Sequence, residues 1–195
     1  MLGIRTILIC LSLSHITSGL MVTNLAEILR NAGLNVTEVD GWKTRAHGPL
    51  TEIRSIICHH TAGAPTGDYP SLPIVRDGRP DLPGPLAQLG LGRSGTWFTI
   101  AAGLAYHAGE VTDPSLFSNQ YAIGIEAEGI GIPPTDVGHI YWPEVQWQSY
   151  VRGVRALKAA FNVPTEHVQA HKEICYPAGR KIDPNFSMTE FRAAL

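Results

Sequence analysis

Residues 54–61 read Arg-Ser-Ile-Ile-Cys-His-His-Thr, and this stretch decides the fold class of the chain. The apolar run at residues 56–58 is continuous, which is typical of a strand buried on both faces of a sheet. Successive side chains of a strand point to opposite faces, so His59 and His60 point away from each other. A regular strand can therefore offer only one of these imidazoles to a single metal ion.

The rest of the chain predicts helices that alternate with strands. Residues 25–32 form a helix capped by Asn24 and ended by Gly33, and Pro143 opens a longer helix that runs to residue 162. A last short helix covers residues 189–194. The long helix carries an apolar stripe at helical spacing, which indicates core packing. The stripe consists of Val145, Trp147, Tyr150, Val151, Val154, Leu157 and Phe161.

Further strands are predicted at residues 35–39, 96–101, 104–107, 122–128 and 166–170. The second and third of these form a hairpin through Gly103. Residues 64–92 are rich in Pro and Gly, and a loop of that length inside a domain is usually functional, so we expect it to wall a substrate groove. Together these elements predict an α/β (α+β mixed) fold with a single central mixed β-sheet flanked by helices.

Length and charge narrow the class of protein. A chain of 195 residues with 44% hydrophobic residues can bury one core of ordinary size. A net charge of −2 argues against nucleic acid as a partner, since nucleic-acid binders carry a basic face. Three cysteines without a Cys-x-x-Cys pair predict reduced thiols and disfavour a structural zinc ribbon.

Residues 1–20 have two interpretations. Arg5, followed by the apolar run at residues 7–11, resembles a secretory signal, and the alternative is a non-native extension that precedes a true start at Met21. The apolar run is too short to span a bilayer, which takes about 20 residues, so we expect no stable membrane insertion. The folded unit is predicted to be one catalytic domain over residues 21–195.

A second chemical cluster is predicted far along the chain. His171 ends a short strand, and Lys181 and Asp183 lie on one side of the following loop if it is extended. His and Asp are common zinc ligands, and a catalytic zinc site has three protein ligands and one open position. A Lys beside a cation is tolerated where it faces an anionic intermediate, but a surface ion pair is the simpler interpretation of these two residues.

Four motifs in register give the chain a specific resemblance. They are His59-His60-Thr61-Ala62-Gly63, Tyr106-His107-Ala108-Gly109, Asn119 with Ile123-Gly124-Ile125-Glu126, and His171 with Gly179-Arg180-Lys181-Ile182-Asp183-Pro184. In this order they resemble the zinc-dependent N-acetylmuramoyl-L-alanine amidases of the peptidoglycan-recognition-protein type, and especially the endolysin amidases of actinobacterial phages. The resemblance covers residues 53–186.

The resemblance implies three zinc ligands, His59, His171 and Asp183, and it leaves His60 to pack or hydrogen-bond elsewhere. The segment before Lys181 is longer than in familiar members of the family. It contains Cys175, a rival third ligand, because some members use Cys. Asp183 is preferred because it keeps its position relative to the intact Lys-x-Asp-Pro motif.

The same resemblance implies the remaining roles. Glu126 matches the acidic residue that orients or deprotonates the zinc water, Lys181 matches the residue that stabilises the tetrahedral oxyanion, and His107 matches a substrate-binding residue of the groove. Cys58 is expected to be a small core residue that faces away from His59.

The implied reaction is zinc-dependent hydrolysis of the amide bond between N-acetylmuramic acid and L-alanine in peptidoglycan. The partners are then the glycan strand and stem peptide of the bacterial cell wall, and the enzyme is expected to be a monomer. It acts in the wall as a phage enzyme released from the host cytoplasm, or as a secreted protein if residues 1–20 are a signal. A bacterial role in wall remodelling stays open.

Two other classes of function compete with the amidase. One is a peptidoglycan-binding module on the same fold, although such modules lack a full ligand set. The other is a hydrolase with Cys58 or Cys175 as nucleophile, but a buried strand thiol without a helix N-terminus nearby is unsuited to that role.

Overall fold

The computed structural model describes residues 19–134 and 137–195, so the interpretations of the leader fall almost entirely outside it. The strands, numbered in chain order, are β1 (Val36–Glu38), β2 (Ser55–His60), β3 (Gly78–Arg79), β4 (Leu82–Pro83), β5 (Leu89–Leu91), β6 (Trp97–Thr99), β7 (Ala122–Ala127) and β8 (Val168–Ala170). The α-helices are α1 (Leu25–Asn31), α2 (Leu72–Asp77), α3 (Pro114–Phe117), α4 (Glu144–Phe161), α5 (His171–Ile174) and α6 (Met188–Ala193).

Six of the strands form one mixed sheet in the order β1-β6-β5-β7-β2-β8. The pairs β7–β2 and β2–β8 are parallel, as are β5–β7 and β1–β6, whereas β5 and β6 run antiparallel. All six residues of β2 are buried, as the apolar run predicts. The predicted mixed sheet with flanking helices is confirmed.

Helix α4 packs its apolar side onto one face of this sheet. Asn162 ends the helix in a left-handed conformation (φ 54°), and Tyr150 and Val154 are fully buried in a core that also contains Cys58. The predicted stripe is confirmed except at Val145, which is 56% exposed. Helix α4 does not cover the opposite face of β2 and β7.

The interpretation of residues 64–92 as one long loop is wrong. The segment contains α2, a two-stranded ribbon of β3 and β4, and β5, which lies inside the main sheet. Strand β5 escapes pattern analysis because it has three residues and a central Gly90. That glycine is needed for space, because a Cβ there would lie 2.3 Å from the hydroxyl oxygen of Tyr69.

The predicted hairpin through Gly103 is also wrong. Strand β6 pairs with β1 and β5, and residues 104–107 form no strand. Their backbone groups bond to other loops: the Leu104 N–H donates to the Gly48 carbonyl, and the Tyr106 N–H donates to the Pro85 carbonyl. Apolar content alone does not distinguish such a buried loop from a strand.

The chain is held to the rest of the fold from Leu20 onward. Leu20 pairs with Leu50 through two backbone hydrogen bonds, and Val22 is already part of the main core. Among the helices of the described residues, none is both long and apolar enough to cross a membrane.

Candidate active site

Three side chains converge at the carboxyl ends of adjacent parallel strands. His59 lies near the end of β2, and His171 follows the last residue of β8. Asp183 lies in the loop beyond α5, and its Oδ2 is 3.0 Å from His59 Nδ1 and 3.2 Å from His171 Nδ1. Crevices at the carboxyl ends of parallel strands are where open α/β sheets usually bind ligands.

This group can hold a metal ion. One ligand atom from each of His59, His171 and Asp183 lies within 4.8 Å of the others, and all three residues are buried. Two imidazole nitrogens that meet on one carboxylate oxygen form the donor set of a three-ligand catalytic metal site. Within the described ranges, no other group of His, Cys, Asp or Glu converges in this way.

His60 does not join the group, as the alternation of the strand requires. Its Nδ1 accepts a hydrogen bond from the backbone N–H of Asn185 at 3.1 Å. That bond anchors the chain two residues after Asp183 to strand β2. His60 therefore supports the loop that carries Asp183.

The paired strand β7 brings a carboxylate to the same place. Glu126 is in register with His59, and its Oε1 lies 4.0 Å from His59 Nδ1. Its other oxygen, Oε2, is buried and has no hydrogen-bond partner among the described residues. The Tyr69 hydroxyl donates to the Glu126 carbonyl oxygen at 3.0 Å and so fixes the backbone at this position. Lys181, which is half-buried, lines the same cleft.

The local electrostatics keep His59 and Asp183 in the states that bind metals. Burial lowers the pKa of His59 to about 4 despite the opposing effect of Asp183. Burial acts to raise the pKa of Asp183, but hydrogen bonds from His171 and His59 outweigh it and hold that pKa below its usual range. Neutral imidazoles and an ionised carboxylate are the forms that coordinate a cation.

Glu126 is perturbed in the opposite sense. Burial raises its pKa well above the usual range, the Asp183 carboxylate adds to this, and Lys181 partly opposes it. A carboxyl group with a raised pKa near a metal site has the properties of a general acid or base.

A family model described as N-acetylmuramoyl-L-alanine amidase matches residues 49–186, a range that contains all of these side chains. The chain belongs to this amidase family. No curated protein sequence matches this chain.

Solved structures with the same fold include several such enzymes. The endolysin N-acetylmuramoyl-L-alanine amidase LysCS from Clostridium intestinale is 20% identical, with a TM-score of 0.57 over 82% of this chain and 93% of that one. The amidase AmiD from E. coli, in complex with anhydro-N-acetylmuramic acid-L-Ala-D-γ-Glu-L-Lys, is 20% identical, with a TM-score of 0.57 over 77% and 60%. The endolysin of Thermus scotoductus bacteriophage Ph2119 is 18% identical, with a TM-score of 0.55 over 82% and 98%.

An open cleft of about 540 Å³ is lined by His171 and Asp183 of the converging group, together with Glu126 and Lys181. Ribbon β3–β4 contributes Arg79 and Leu82 to one wall, and the loop after β7 contributes Ile130 and Ile132 to the cleft. The Pro/Gly-rich segment therefore contributes to a wall of this cleft through the ordered ribbon and through Leu86.

The two cysteines of the described chain lie away from this cleft. Cys58 is fully buried in the core, where burial raises the pKa of its thiol to about 12, so it is unsuited to be a nucleophile. Cys175 is 1% exposed, and its Sγ lies within 3.8 Å of the carbonyl oxygens of Lys172 and Pro177. It is not part of the converging group.

The sequence interpretation overlooked Glu128. Its side chain is fully buried, and it accepts hydrogen bonds from the Thr61 hydroxyl at 2.8 Å, the Ser71 hydroxyl at 3.0 Å and the Ser71 N–H at 3.0 Å. These bonds tie the end of β2 to the start of α2. The sequence signal that could have found it is a second acidic residue two positions after Glu126, because side chains two positions apart point to the same side of an extended chain.

Proposed function

We propose that the amidase is a zinc enzyme that hydrolyses the lactyl amide between N-acetylmuramic acid and L-alanine in bacterial peptidoglycan. His59, His171 and Asp183 hold the metal, Glu126 and Lys181 carry out the chemistry, and His107 belongs to the binding region. The observation that carries the proposal is the convergence of two imidazoles on one carboxylate beside a carboxyl group with an unpartnered oxygen.

The donor set suits zinc, because Zn²⁺ favours imidazole and carboxylate ligands and leaves one position open in catalytic sites. Bound zinc lowers the pKa of its water to about 7 and polarises the scissile carbonyl. The buried, unpartnered Oε2 of Glu126 also fits this interpretation, since such an atom requires a partner that protein groups do not supply.

Glu126 accepts the proton of the attacking water and passes it to the departing amine of alanine. Its raised pKa serves both steps, because a carboxylate with a raised pKa takes up a proton more readily and can then return it to the leaving group. Lys181 stabilises the oxyanion that forms at the carbonyl carbon. A single stabiliser of this kind typically contributes about 100- to 1,000-fold in rate.

Incubation with purified peptidoglycan tests the reaction directly. We expect new amino termini of alanine and no new reducing sugar ends, whereas new reducing ends alone would identify a glycosidase. Treatment with EDTA should abolish the activity and zinc should restore it, while iodoacetamide should have no effect. A binding-only module would retain peptidoglycan but release no amino groups.

We further propose that the enzyme acts as a monomer in the bacterial cell wall and without nucleic acid, in phage lysis. Light scattering at assay concentration tests the oligomeric state. The phage role rests on resemblance to endolysins and is tested by expression inside a bacterial host, where an endolysin lyses the cell once it reaches the wall.

A further inference from the structure

One dipeptide, His107-Ala108, contacts both candidate ligand imidazoles from the side opposite the metal position. His107 Nδ1 lies 3.2 Å from His59 Nε2, and the Ala108 carbonyl oxygen lies 2.9 Å from His171 Nε2. The Nδ1 atoms of the two ligand rings face Asp183 instead. The dipeptide is therefore placed to select which nitrogen of each ring faces the metal.

We propose that His107 is a positioning residue for the metal ligands and that Asn119 acts through it. The proposal rests on the metal site of the proposed function. A neutral imidazole that gives Nδ1 to a metal carries its proton on Nε2, so His59 donates and His107 Nδ1 accepts. In the same way, the Nε2–H of His171 donates to the Ala108 carbonyl.

The placement of His107 disfavours a hydrogen bond between its ring and the substrate. The residue lines the cleft but is only 7% exposed, its Nδ1 faces His59, and its buried ring lies within reach of a backbone hydrogen bond with Ala122. The ring lies against Gly124 of β7, where an added Cβ would be 2.5 Å from His107 Cγ. Gly124 thus leaves the space in which the ring reaches His59.

Asn119 fixes the backbone of the dipeptide. Its Oδ1 accepts hydrogen bonds from the His107 N–H at 3.0 Å and the Ala108 N–H at 2.8 Å. Two adjacent donors on one amide oxygen leave the dipeptide little freedom to rotate. Asn119 thus acts on both ligand imidazoles without touching either of them.

The proposal is tested by zinc affinity, which requires no substrate. We would measure the Kd for zinc by competition with a chromophoric chelator, and the visible spectrum of the Co²⁺-loaded protein, which reports ligand geometry. His107→Leu removes the acceptor, whereas His107→Asn keeps an acceptor near the position of Nδ1. Asn119→Ala removes the backbone anchor, whereas Asn119→Asp keeps an acceptor for both N–H groups.

We expect His107→Leu and Asn119→Ala each to weaken zinc binding by about 10- to 100-fold and to alter the Co²⁺ spectrum. His107→Asn and Asn119→Asp should remain within a few-fold of wild type. Unchanged zinc affinity and spectrum in His107→Leu, with a raised KM, would return His107 to the groove and overturn the proposal. If His107→Leu does not fold, unchanged zinc affinity in Asn119→Ala overturns it instead. A wild-type protein that binds no zinc would reject the proposed function itself.

Discussion

Glu126 and Glu128 are two carboxylates two residues apart, and the structure gives them opposite environments. Glu126 has an unpartnered oxygen beside the candidate metal ligands, whereas both oxygens of Glu128 accept hydrogen bonds. The substitutions Glu126→Gln and Glu128→Gln are therefore a matched pair, with the same chemical change at each position. We expect the first to remove activity and keep the fold, and the second to lower stability.

The cost of Glu128→Gln follows from its three hydrogen bonds, donated by Thr61 and Ser71. A hydrogen bond to a charged group is worth about 1.5–3 kcal/mol and a neutral one about 0.5–1.5 kcal/mol, so the substitution loses about 1 kcal/mol at each bond. The side chain also loses the attraction of Arg93, whose Nη2 lies 3.8 Å from Oε1. We expect the free energy of unfolding to fall by about 3 kcal/mol in total.

Glu126→Gln has no such bonds to weaken. Burial, and after it Asp183, raises the pKa of Glu126 in the folded protein, so folding disfavours its carboxylate. In the wild type, Glu126 therefore contributes a loss of stability as the pH rises above about 4.3, the usual value for Glu, and this contribution is absent from the Gln variant. We expect the metal-free variant to be at least as stable as wild type at neutral pH, while kcat falls by about 100- to 10,000-fold with the loss of the proton acceptor.

Urea unfolding of the metal-free proteins and release of alanine amino groups by the zinc-loaded proteins measure the two effects separately. We expect the loss of activity in Glu126→Gln and the loss of stability in Glu128→Gln. It is refuted if Glu128→Gln unfolds at the wild-type urea concentration, or if Glu126→Gln keeps more than about a tenth of the wild-type kcat.

Three further outcomes follow from the site. Asp183→Ala should lose bound zinc and activity, while Cys175→Ala keeps both, as measured by metal stoichiometry; zinc loss in Cys175→Ala would make the thiol the third ligand. Lys181→Met should keep its zinc and lower kcat by about 100- to 1,000-fold in the same amino-group assay. Because burial lowers the pKa of His59 to about 4, the unfolded chain binds a proton between about pH 6.5 and pH 4 that the folded chain does not. His59 alone should thus cost the metal-free Glu126→Gln protein about 3 kcal/mol as the pH falls through that window. His60 and His107, whose pKa values burial also lowers, act in the same direction, and a flat urea profile would contradict the expectation.

Sequence patterns predict those helices and strands that are long and that bury either one face or all of their residues. Strands β2 and β7 and helix α4 are long enough for the apolar period to be read directly. Strand β5 is not, because its three residues include a glycine whose role is to make room for Tyr69. Its place in the sheet depends on β6 and β7, and these partners are far away in sequence.

The candidate site was predictable as a set of residues but not as an arrangement. Alternation along β2 separates His59 from His60, and the register with β7 places Glu126 beside His59. By contrast, no local pattern predicts that the ring of His107 turns toward His59, since that contact depends on the space at Gly124. Likewise, no local pattern predicts that Glu128 has hydrogen-bond partners while the Oε2 atom of Glu126 has none, because these bonds depend on how the loops fold.

The segment between His171 and Lys181 is longer than in familiar members of the family, which weakens the case for Asp183 as a ligand. Hydrogen bonds at the base of this loop explain how Asp183 nevertheless lies beside His171. The Lys172 N–H donates to the Asp183 carbonyl oxygen at 2.9 Å, so the loop closes directly beside both ligands whatever its length. Within the loop, the Tyr176 N–H donates to the Glu110 carbonyl, and Cys175 pairs with Val111. The segment between His171 and Asp183 is thus held against residues 110–111, while the Lys172–Asp183 backbone bond keeps Asp183 beside His171.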